Sequence, residues 1–431
     1  MPLSGGSKGG WRKRPLGPSG PSDHSRYTAL SLYLPAFILA LGTGIAAPAL
    51  PIYAKSFEVT FGVASLVIVV HTLGSLCATL PAGFLIDRFG RRRVILAGPI
   101  LTAVATLLVA TAHSFPELLV YRFAAGWGNQ MWVLSRLAVV ADTGEGRRGR
   151  QITGMFGMDA SGRLFGPALG GFVAAAWDIR APFVLHAIVA LLAVIPSYLL
   201  IRESLPTRST VVEATKPTRG LSAAALLLSP FLFLYVAQLL VSLTRGTLYG
   251  GTLNLFAAYA YDVGPDTLGV LAAATSAVGI PITFASGHLS DRFGRKAVIM
   301  PGLTLVGLGL GFMAIIAYTG WPFSSFVAAA LFVQASQSVM SGSMQTLAAD
   351  IAPTHARGKF LGLWRLTGEL GAFVSPGIFA LLAEVSGFTA SFAFLSATGL
   401  AGALLIGTRV RETLPGKHKR PMGGLVRADA V

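Results

Sequence analysis

Twelve long apolar segments constrain the fold of this chain more than any other feature of its sequence. Each is about 20 residues long or longer, which is what a helix needs to cross the roughly 30 Å hydrocarbon core of a bilayer. Lipid offers no hydrogen-bond partner to the backbone, so we expect helices and not strands. The segments lie at residues 29–53, 61–86, 94–113, 118–141, 152–176, 182–201, 230–258, 266–288, 297–319, 322–348, 358–383 and 388–408.

The composition agrees with a membrane protein. Of the 431 residues, 53% are hydrophobic and only 12% are charged, whereas soluble domains carry about 25% charged residues. Cys77 is the single cysteine and lies in an apolar segment, which argues against a disulfide framework and a cysteine metal site. We expect no metal and no cofactor.

The formal net charge of +16 follows the predicted topology. With the N-terminus inside, about 27 lysines and arginines fall in the tails and inner loops, and the outer loops hold only Lys55 and Arg180. This asymmetry predicts a multi-pass protein of the cell (plasma or inner) membrane with both termini cytoplasmic. The predicted surroundings are therefore the lipid bilayer, and nucleic acid is not an expected partner.

The sequence is internally repeated. GFLIDRFGRRRVI at 83–95 matches GHLSDRFGRKAVI at 287–299, and RESLP at 202–206 matches RETLP at 411–415. Parallel repeats of six spans describe a transporter architecture whose substrate site lies between the halves near the middle of the bilayer. We predict a disordered cytoplasmic tail at 1–26, an N-terminal six-helix half at 27–201, a cytoplasmic linker at 202–229, a C-terminal six-helix half at 230–408 and a cytoplasmic tail at 409–431.

The pattern G-x-L-x-D-R-x-G-R-[RK] in both copies resembles the signature of the major facilitator superfamily, and the similarity spans nearly the whole chain. The resemblance implies an all-α membrane protein with twelve transmembrane helices in two pseudo-symmetric six-helix halves. It also implies an inner gate, a latch that holds the inside closed. The alternative is that the charges only orient the loops. The gate residues are Gly83, Asp87, Arg88, Gly90, Arg91 and Asp142 in the first half, and Gly287, Asp291, Arg292, Gly294, Arg295 and Asp350 in the second.

Two further motifs resemble the 12-span drug/proton antiporter branch of this family. Arg122 in the fourth segment is followed by glycines and is similar to the buried arginine that the family associates with proton coupling. The fifth segment resembles the motif typical of antiporters. Glycines at four-residue spacing also let helix backbones approach closely, so packing alone is the alternative. The residues of this antiporter-motif helix are Gly162, Gly166, Pro167, Gly170 and Gly171.

Charged residues inside the segments are candidates for the chemistry, because each costs about 2.5–3.5 kcal/mol at a helix centre. Asp159 and Arg163 are four residues apart, as are Arg365 and Glu369, so each pair can meet on one helix face. Each pair is either structural or a carboxylate that changes partners as it takes up a proton. Arg136 is expected to reach the inner surface with its long side chain.

We assign proton coupling to Arg122, Asp159, Glu369 and His71. Many proton-coupled exporters of this family carry an acid in the first span, and none occurs here between Thr28 and Tyr53, so the proton carrier is an open question. The substrate cavity is predicted to be lined by polar and charged residues of the spans, namely Asn129, Arg163, Arg245, Asn254, Gln334, Gln337 and Arg365.

These features predict a monomeric secondary active transporter that exports small amphiphilic molecules or drugs by alternating access, coupled to proton influx. One alternative is a facilitator or importer of an anionic or polar metabolite, since arginines outnumber acids within the spans. A further alternative is a non-transporting membrane sensor. The chain lacks a G-x-x-x-x-G-K-[ST] nucleotide loop, so ATP is not the expected energy source. An enzyme is not expected, because the membrane segments lack convincing H-E-x-x-H and G-x-S-x-G motifs. No residue names the small-molecule substrate.

Overall fold

The structure is a computed structural model that describes residues 29–141, 145–200, 231–249, 251–353, 357–410 and 412–413. Within these ranges it contains helices and no strand, and a π-helical turn at Ala29–Tyr33 precedes the first α-helix. The helices of the first half are α1 (Leu34–Ala46), α2 (Ala49–Lys55), α3 (Phe61–Phe89), α4 (Arg91–Ala110), α5 (Phe115–Ala141), α6 (Glu145–Ala176) and α7 (Ala181–Leu200). Those of the second half are α8 (Leu232–Tyr249), α9 (Thr252–Ala260), α10 (Pro265–Phe293), α11 (Arg295–Thr319), α12 (Phe323–Val339), α13 (Ser343–Ile351) and α14 (Arg357–Arg409).

Eight helical stretches of the described chain are long and apolar enough to cross a membrane, or nine if the bent pair α8 and α9 is one span. Helices α5 and α6 are also long, at 27 and 32 residues, but contain several charged residues. The 53-residue α14 is interrupted at Gly387, where φ is 83°, and therefore comprises two segments. Counted in this way, the described helices account for the twelve predicted segments.

The helices pack as two similar halves. In the first half, α6 and α7 pack against α1, and α3 and α4 pack against α5. In the second, α8 and α11 pack against α14, and α10 and α11 pack against α12. The halves meet where α6 packs on α10 and where α3 packs on α14. This is the all-α, two-half architecture that the sequence predicted.

The repeated loop motif makes the same one-residue turn in both halves. Gly90 separates α3 from α4 with a φ of 87°, and Gly294 separates α10 from α11 with a φ of 110°. Such positive φ values are readily adopted only by glycine. Arg91 and Arg295 directly follow these glycines, and each is the first residue of the next helix.

We call the end of the bundle that carries Lys55 and Asp262 the outer end, and the end that carries Arg91 and Arg295 the inner end. At the outer end, one face of α3 contacts α14, because the Gly62 amide donates to the Glu384 carboxylate at 3.1 Å. Further inward on the same face, Leu80 is 84% exposed. The two helices therefore diverge, and the structure is closed at the outer end and open at the inner end.

Several predicted features fall on residues that the structure does not describe. Asp142, the linker at 202–229 and the tail at 1–26 lie outside the described residues, as does the second tail except for residues 409, 410, 412 and 413. The predicted domain boundaries in these regions stay predictions.

Candidate functional site

The predicted inner gate of the second half centres on Arg295. Its guanidinium reaches Asp291 at 3.2 Å and Asp350 at 3.3 Å, and donates to the Ser290 carbonyl at 3.0 Å. The Arg295 side chain is only 13% exposed, so one buried cation links the end of α10 to the end of α13. The predicted association of Asp291, Arg295 and Asp350 is therefore present.

A carboxylate that was not predicted adds to this gate. Glu412, in the segment after α14, accepts hydrogen bonds from the backbone amides of Arg295 at 2.8 Å and Ala297 at 3.4 Å. These amides begin α11, where free N–H groups and the helix dipole favour a negative charge. Thr413 donates to Asp350 at 3.0 Å, so Glu412 and Thr413, the described residues of the second RESLP/RETLP copy, belong to the same cluster.

The equivalent gate of the first half is described only in part. Asp87 and Arg91 interact electrostatically, and the position of Asp142 lies outside the described residues. Two other predicted gate residues lie elsewhere: the Arg88 guanidinium is 5.6 Å from the centre of the Phe89 ring, and that of Arg292 is 5.4 Å from the Phe293 ring. A Cβ on Gly83 or on Gly287 would meet no heavy atom within 4 Å, as expected if the inner end is open.

The charged pair predicted within α6 is wrong. Asp159 does not pair with Arg163, because both of its oxygens accept hydrogen bonds from Arg136 of α5, at 2.9 and 2.7 Å. The side chains of Arg136 and Asp159 are only 8% and 13% exposed. Arg136 therefore does not reach for the inner surface as expected; a carboxylate between the helices is a better partner for its planar donor pair than interfacial water. The Arg136 guanidinium also lies 5.8 Å from the centre of the Trp132 ring.

The second predicted pair is present. Arg365 donates to Glu369 at 2.8 Å along α14, and both side chains are exposed, at 58% and 37%. Arg163 is exposed on α6, and its backbone carbonyl accepts from Ser276 of α10 at 3.5 Å. Arg163 forms no ion pair with another described residue. Arg163, Arg365 and Glu369 are therefore accessible charged residues of these two helices.

Arg122 and His71 lie between α3 and α5. The Arg122 Nε donates to the Val67 carbonyl at 3.3 Å, and its guanidinium interacts electrostatically with the imidazole of His71. A Cβ on Gly126 would overlap the His71 carbonyl, so this glycine lets α5 approach α3. The two predicted coupling residues are thus close together, whereas Asp159 and Glu369 belong to separate ion pairs.

The predicted substrate-cavity residues divide between different surroundings. Asn129 lines a small cavity within the first half. Gln337 is only 1% exposed, so it lies inside the second half and not on an open cavity as expected. Gln334 is half-buried and donates to Ser338 at 3.5 Å. Arg245 and Asn254 are half-buried in α8 and α9.

The antiporter-motif helix α6 packs closely on two partners. A Cβ on Gly162 or on Gly166 would come within 2.6 Å of a carbonyl oxygen of α1, and Gly170 is packed in the same way against Ile45. A Cβ on Gly171 would come 2.5 Å from the Pro265 carbonyl of α10. Gly171 therefore lies at the contact between the halves, near the outer end.

The outer end is held by polar contacts between the halves, which we call the outer lock: Lys55, Val59 and Gly62 on the first half and Tyr259, Asp262 and Glu384 on the second. The Lys55 Nζ lies 2.6 Å from Asp262, and it also donates to the Ala258 carbonyl at 3.2 Å. Tyr259 donates to the Val59 carbonyl at 2.9 Å. The Lys55 ammonium lowers the pKa of the Asp262 carboxyl by hydrogen bonding and by its charge.

Aromatic rings pack beneath this lock. The Phe61 ring lies 5.7 Å from that of Tyr259 and 4.8 Å from that of Phe388. Phe256, also of the second half, extends the cluster, since its ring lies 4.8 Å from that of Phe388. Sequence analysis missed the outer lock; its only signal was that Lys55 is one of two basic residues in the outer loops.

Comparison with known proteins assigns the fold and the family. The model of the Major Facilitator Superfamily matches residues 32–249 and again 234–427. An uncharacterized MFS-type transporter of Methanocaldococcus jannaschii is 23% identical over 370 residues, which cover 84% of this chain and 93% of the relative. Multidrug resistance protein 2 of Bacillus subtilis is 23% identical over 74% of this chain and 82% of its own length. Quinolone resistance protein NorA of Staphylococcus aureus is 30% identical over 42% of this chain and 46% of NorA.

Solved structures match over most of the chain. The inward-open xylose transporter XylE from E. coli has a TM-score of 0.71 at 18% identity and covers 90% of this chain and 97% of XylE. A bacterial homologue of the iron transporter ferroportin in an inward-facing state has a TM-score of 0.69 at 18% identity, over 89% of this chain and 98% of the homologue. At such identities the likeness concerns the fold alone.

Proposed function

The chain belongs to the major facilitator superfamily, and on this premise we propose that it exports small amphiphilic molecules by alternating access, driven by proton influx. The inner end, with its basic loops, faces the cytoplasm, and the substrate enters from that side in the conformation described above. The similarity to a quinolone resistance protein and to a multidrug resistance protein supports drug-like cargo.

The observation that carries the proposal is the enclosed pair of Arg136 and Asp159. A buried ion pair gives little net stability compared with apolar side chains, which favours a functional reason for its presence. The Asp159 carboxylate can bind either Arg136 or a proton. Exchange of these two partners between conformations would link proton movement to the movement of α5 against α6.

A second carboxylate supports the same chemistry from the other half. Glu369 is paired with Arg365 but accessible, so it can exchange protons with the water of the open inner end. Arg163 and Arg365 also give this region positive charge. An anionic group on the substrate is therefore favoured over a cationic one.

Transport by the purified protein in liposomes tests the proposal. We expect a fluoroquinolone to accumulate against its gradient when a proton gradient is imposed, and an anionic amphiphile to do the same. In Asp159→Asn or Glu369→Gln, gradient-driven accumulation should fall at least about tenfold, while substrate binding remains measurable. The matched control is Asp178→Asn, which changes a carboxylate at the outer end, where Asp178 accepts from the Arg180 amide at 2.8 Å.

Two results would contradict the proposal. If substrate only equilibrates across the membrane, whether or not a proton gradient is imposed, the protein is a facilitator of diffusion and not a proton-coupled exporter. If both carboxylate variants still accumulate substrate in response to the proton gradient, neither Asp159 nor Glu369 is the proton carrier.

A further inference from the structure

A buried histidine in the first half has no hydrogen-bond partner. His186 of α7 is 7% exposed, and both of its ring nitrogens lack a partner among the described residues. A neutral imidazole has one donor and one acceptor, and buried polar atoms almost always find partners in the protein or in ordered water. No described protein group serves His186 as that partner, which points to ordered water.

A small cavity beside His186 provides room for that partner. Its volume is about 10 Å³, close to the roughly 10–15 Å³ that one water molecule needs. The hydroxyls of Thr43 and Thr102 donate to carbonyls of their own helices at 2.9 and 3.0 Å, which leaves their lone pairs free to accept. The lining residues come from α1, α4, α5 and α7 and are Leu39, Thr43, Pro99, Thr102, Asn129, Trp132 and His186.

The position of His186 bears on the missing acid of the first span. Its ring packs against Gly42 of α1, where a Cβ would come 2.6 Å from the imidazole Cδ2 and 3.4 Å from Nε2. The first helix thus supplies no titratable group at this level, and α7 supplies one. Histidine is the side chain whose charge changes near neutral pH.

The charged and titratable groups that act on His186 are few. Arg122 of α5 interacts with it electrostatically, and so does His71 of α3. The cavity residues from α1 and α4 are uncharged. Asp159 of α6 is engaged with Arg136, and the neighbouring Arg163 is exposed.

We propose that His186 is a proton-binding residue of the transport cycle, reached through one water molecule in the cavity that it shares with Asn129. This inference rests on the proposed coupling to protons. The step moves one proton from the cavity water to the free ring nitrogen, and that water regains a proton from the solvent. Protonated His186 would place a second positive charge near Arg122 in a buried site, which disfavours the charged imidazole. In the conformation described here, the proton therefore leaves His186 toward the open inner end.

Trp132 lines the same cavity and provides a readout that does not depend on transport. We expect the tryptophan fluorescence of the purified protein to titrate between about pH 4 and about pH 9, with a component that His186→Gln removes. Trp132→Phe should remove the same component. A titration that is unchanged in His186→Gln would overturn the proposal, because no proton would then bind at this residue.

Transport in liposomes is the second arm. His186→Gln should retain substrate exchange at equal pH within about twofold and lose at least about tenfold of accumulation driven by the proton gradient. His186→Asn serves as a second variant if the first fails to fold. Ser197→Ala is the control on α7, since Ser197 is buried and donates to the Ala193 carbonyl of its own helix at 3.1 Å.

The outcomes separate this inference from the proposed function. If the wild-type protein couples to protons and His186→Gln does so equally well, only the role of His186 fails. If the wild-type protein ignores the gradient, proton coupling fails, and the role of His186 in it fails as well.

Discussion

Arg136 of α5 and Asp159 of α6 form a two-bond ion pair, with nitrogen–oxygen distances of 2.9 and 2.7 Å, inside the first half. The residues are 23 positions apart in the sequence. Without its partner, each residue would be an unpaired charge inside an apolar bundle. The pair therefore restricts the packing of α5 and α6 to arrangements that keep the two side chains in contact.

Removal of one partner should destabilise the protein strongly. We expect Asp159→Leu to lower the free energy of unfolding by about 3–5 kcal/mol, because the Arg136 charge stays buried without its partner. The double variant Arg136→Met with Asp159→Leu should recover most of this loss. Thermal unfolding in detergent measures both; equal loss in the single and double variants would show that the ion pair is not the cause.

A side chain at Gly171 should open the outer end. In Gly171→Val, atoms beyond the Cβ would collide with Pro265 and Gly269 of the other half. We expect a cysteine at Ala257, which is fully buried, to react at least about tenfold faster with an impermeant maleimide in this variant, since packed interfaces resist overpacking. The assay uses a Cys77→Ser background. Gly157→Val is the control on the same helix, because a Cβ there meets nothing within 4 Å; an equal effect of both variants would refute a steric cause.

Charge reversal at the outer lock should have a small and reversible effect. Lys55→Glu places two acids together at Asp262, and we expect the same Ala257→Cys probe to react about two- to fivefold faster, which is the scale of an exposed ion pair. Lys55→Glu with Asp262→Lys should restore the original rate. Failure of the double variant to restore it would assign the effect to the contacts of Lys55 with Ala258 and Tyr259 instead.

The outer lock should be insensitive to pH near neutrality. Lys55 lowers the pKa of Asp262, so the ion pair is fully present above the unfolded-state pKa of about 3.9 and is lost as pH falls through the lower folded value. The reaction rate of the Ala257→Cys probe, corrected for maleimide chemistry with a free thiol, should therefore be flat from about pH 5.5 to about pH 7.5. A transition within this range that disappears in Asp262→Asn would contradict this assignment.

Arg295 should not be replaceable by lysine. Its guanidinium serves Asp291, Asp350 and the Ser290 carbonyl together, whereas an ammonium has no planar fork for several fixed acceptors. We expect Arg295→Lys to lose about 1–3 kcal/mol of stability and to slow transport. Lys296→Arg is the matched control, since Lys296 has one acceptor, the Gly407 carbonyl at 2.6 Å. Equal melting temperatures for wild type and Arg295→Lys would show that the guanidinium of Arg295 does not stabilise the fold more than an ammonium does.

Sequence patterns were sufficient to predict interactions between residues that lie close together in the chain. The pair of Arg365 and Glu369 follows from four-residue spacing on one helix. The cluster of Arg295 with Asp291 combines such a local contact with one to Asp350, which the family resemblance supplied. These predictions needed no knowledge of how the helices pack.

Helical spacing gave the wrong partner where a local candidate competed with one that is distant in the sequence. Asp159 has Arg163 one turn away, yet it pairs with Arg136 of the neighbouring helix, and Arg163 faces open space instead. Helical periodicity specifies which residues share a face, but not which helix that face meets. His186 and the outer lock were missed for the same reason, since their surroundings come from several segments.

The sequence by itself determined the membrane class, the segments and the twofold repeat, because apolar length, glycine turns and charge placement act within one segment or its nearest loop. Only the tertiary structure decided which buried charges are partners, which end of the bundle is closed and which histidine is enclosed. Those outcomes depend on contacts between helices that are distant in the chain. A charge or polar atom that is buried without a partner costs so much free energy that the available partners on neighbouring helices determine how it is arranged.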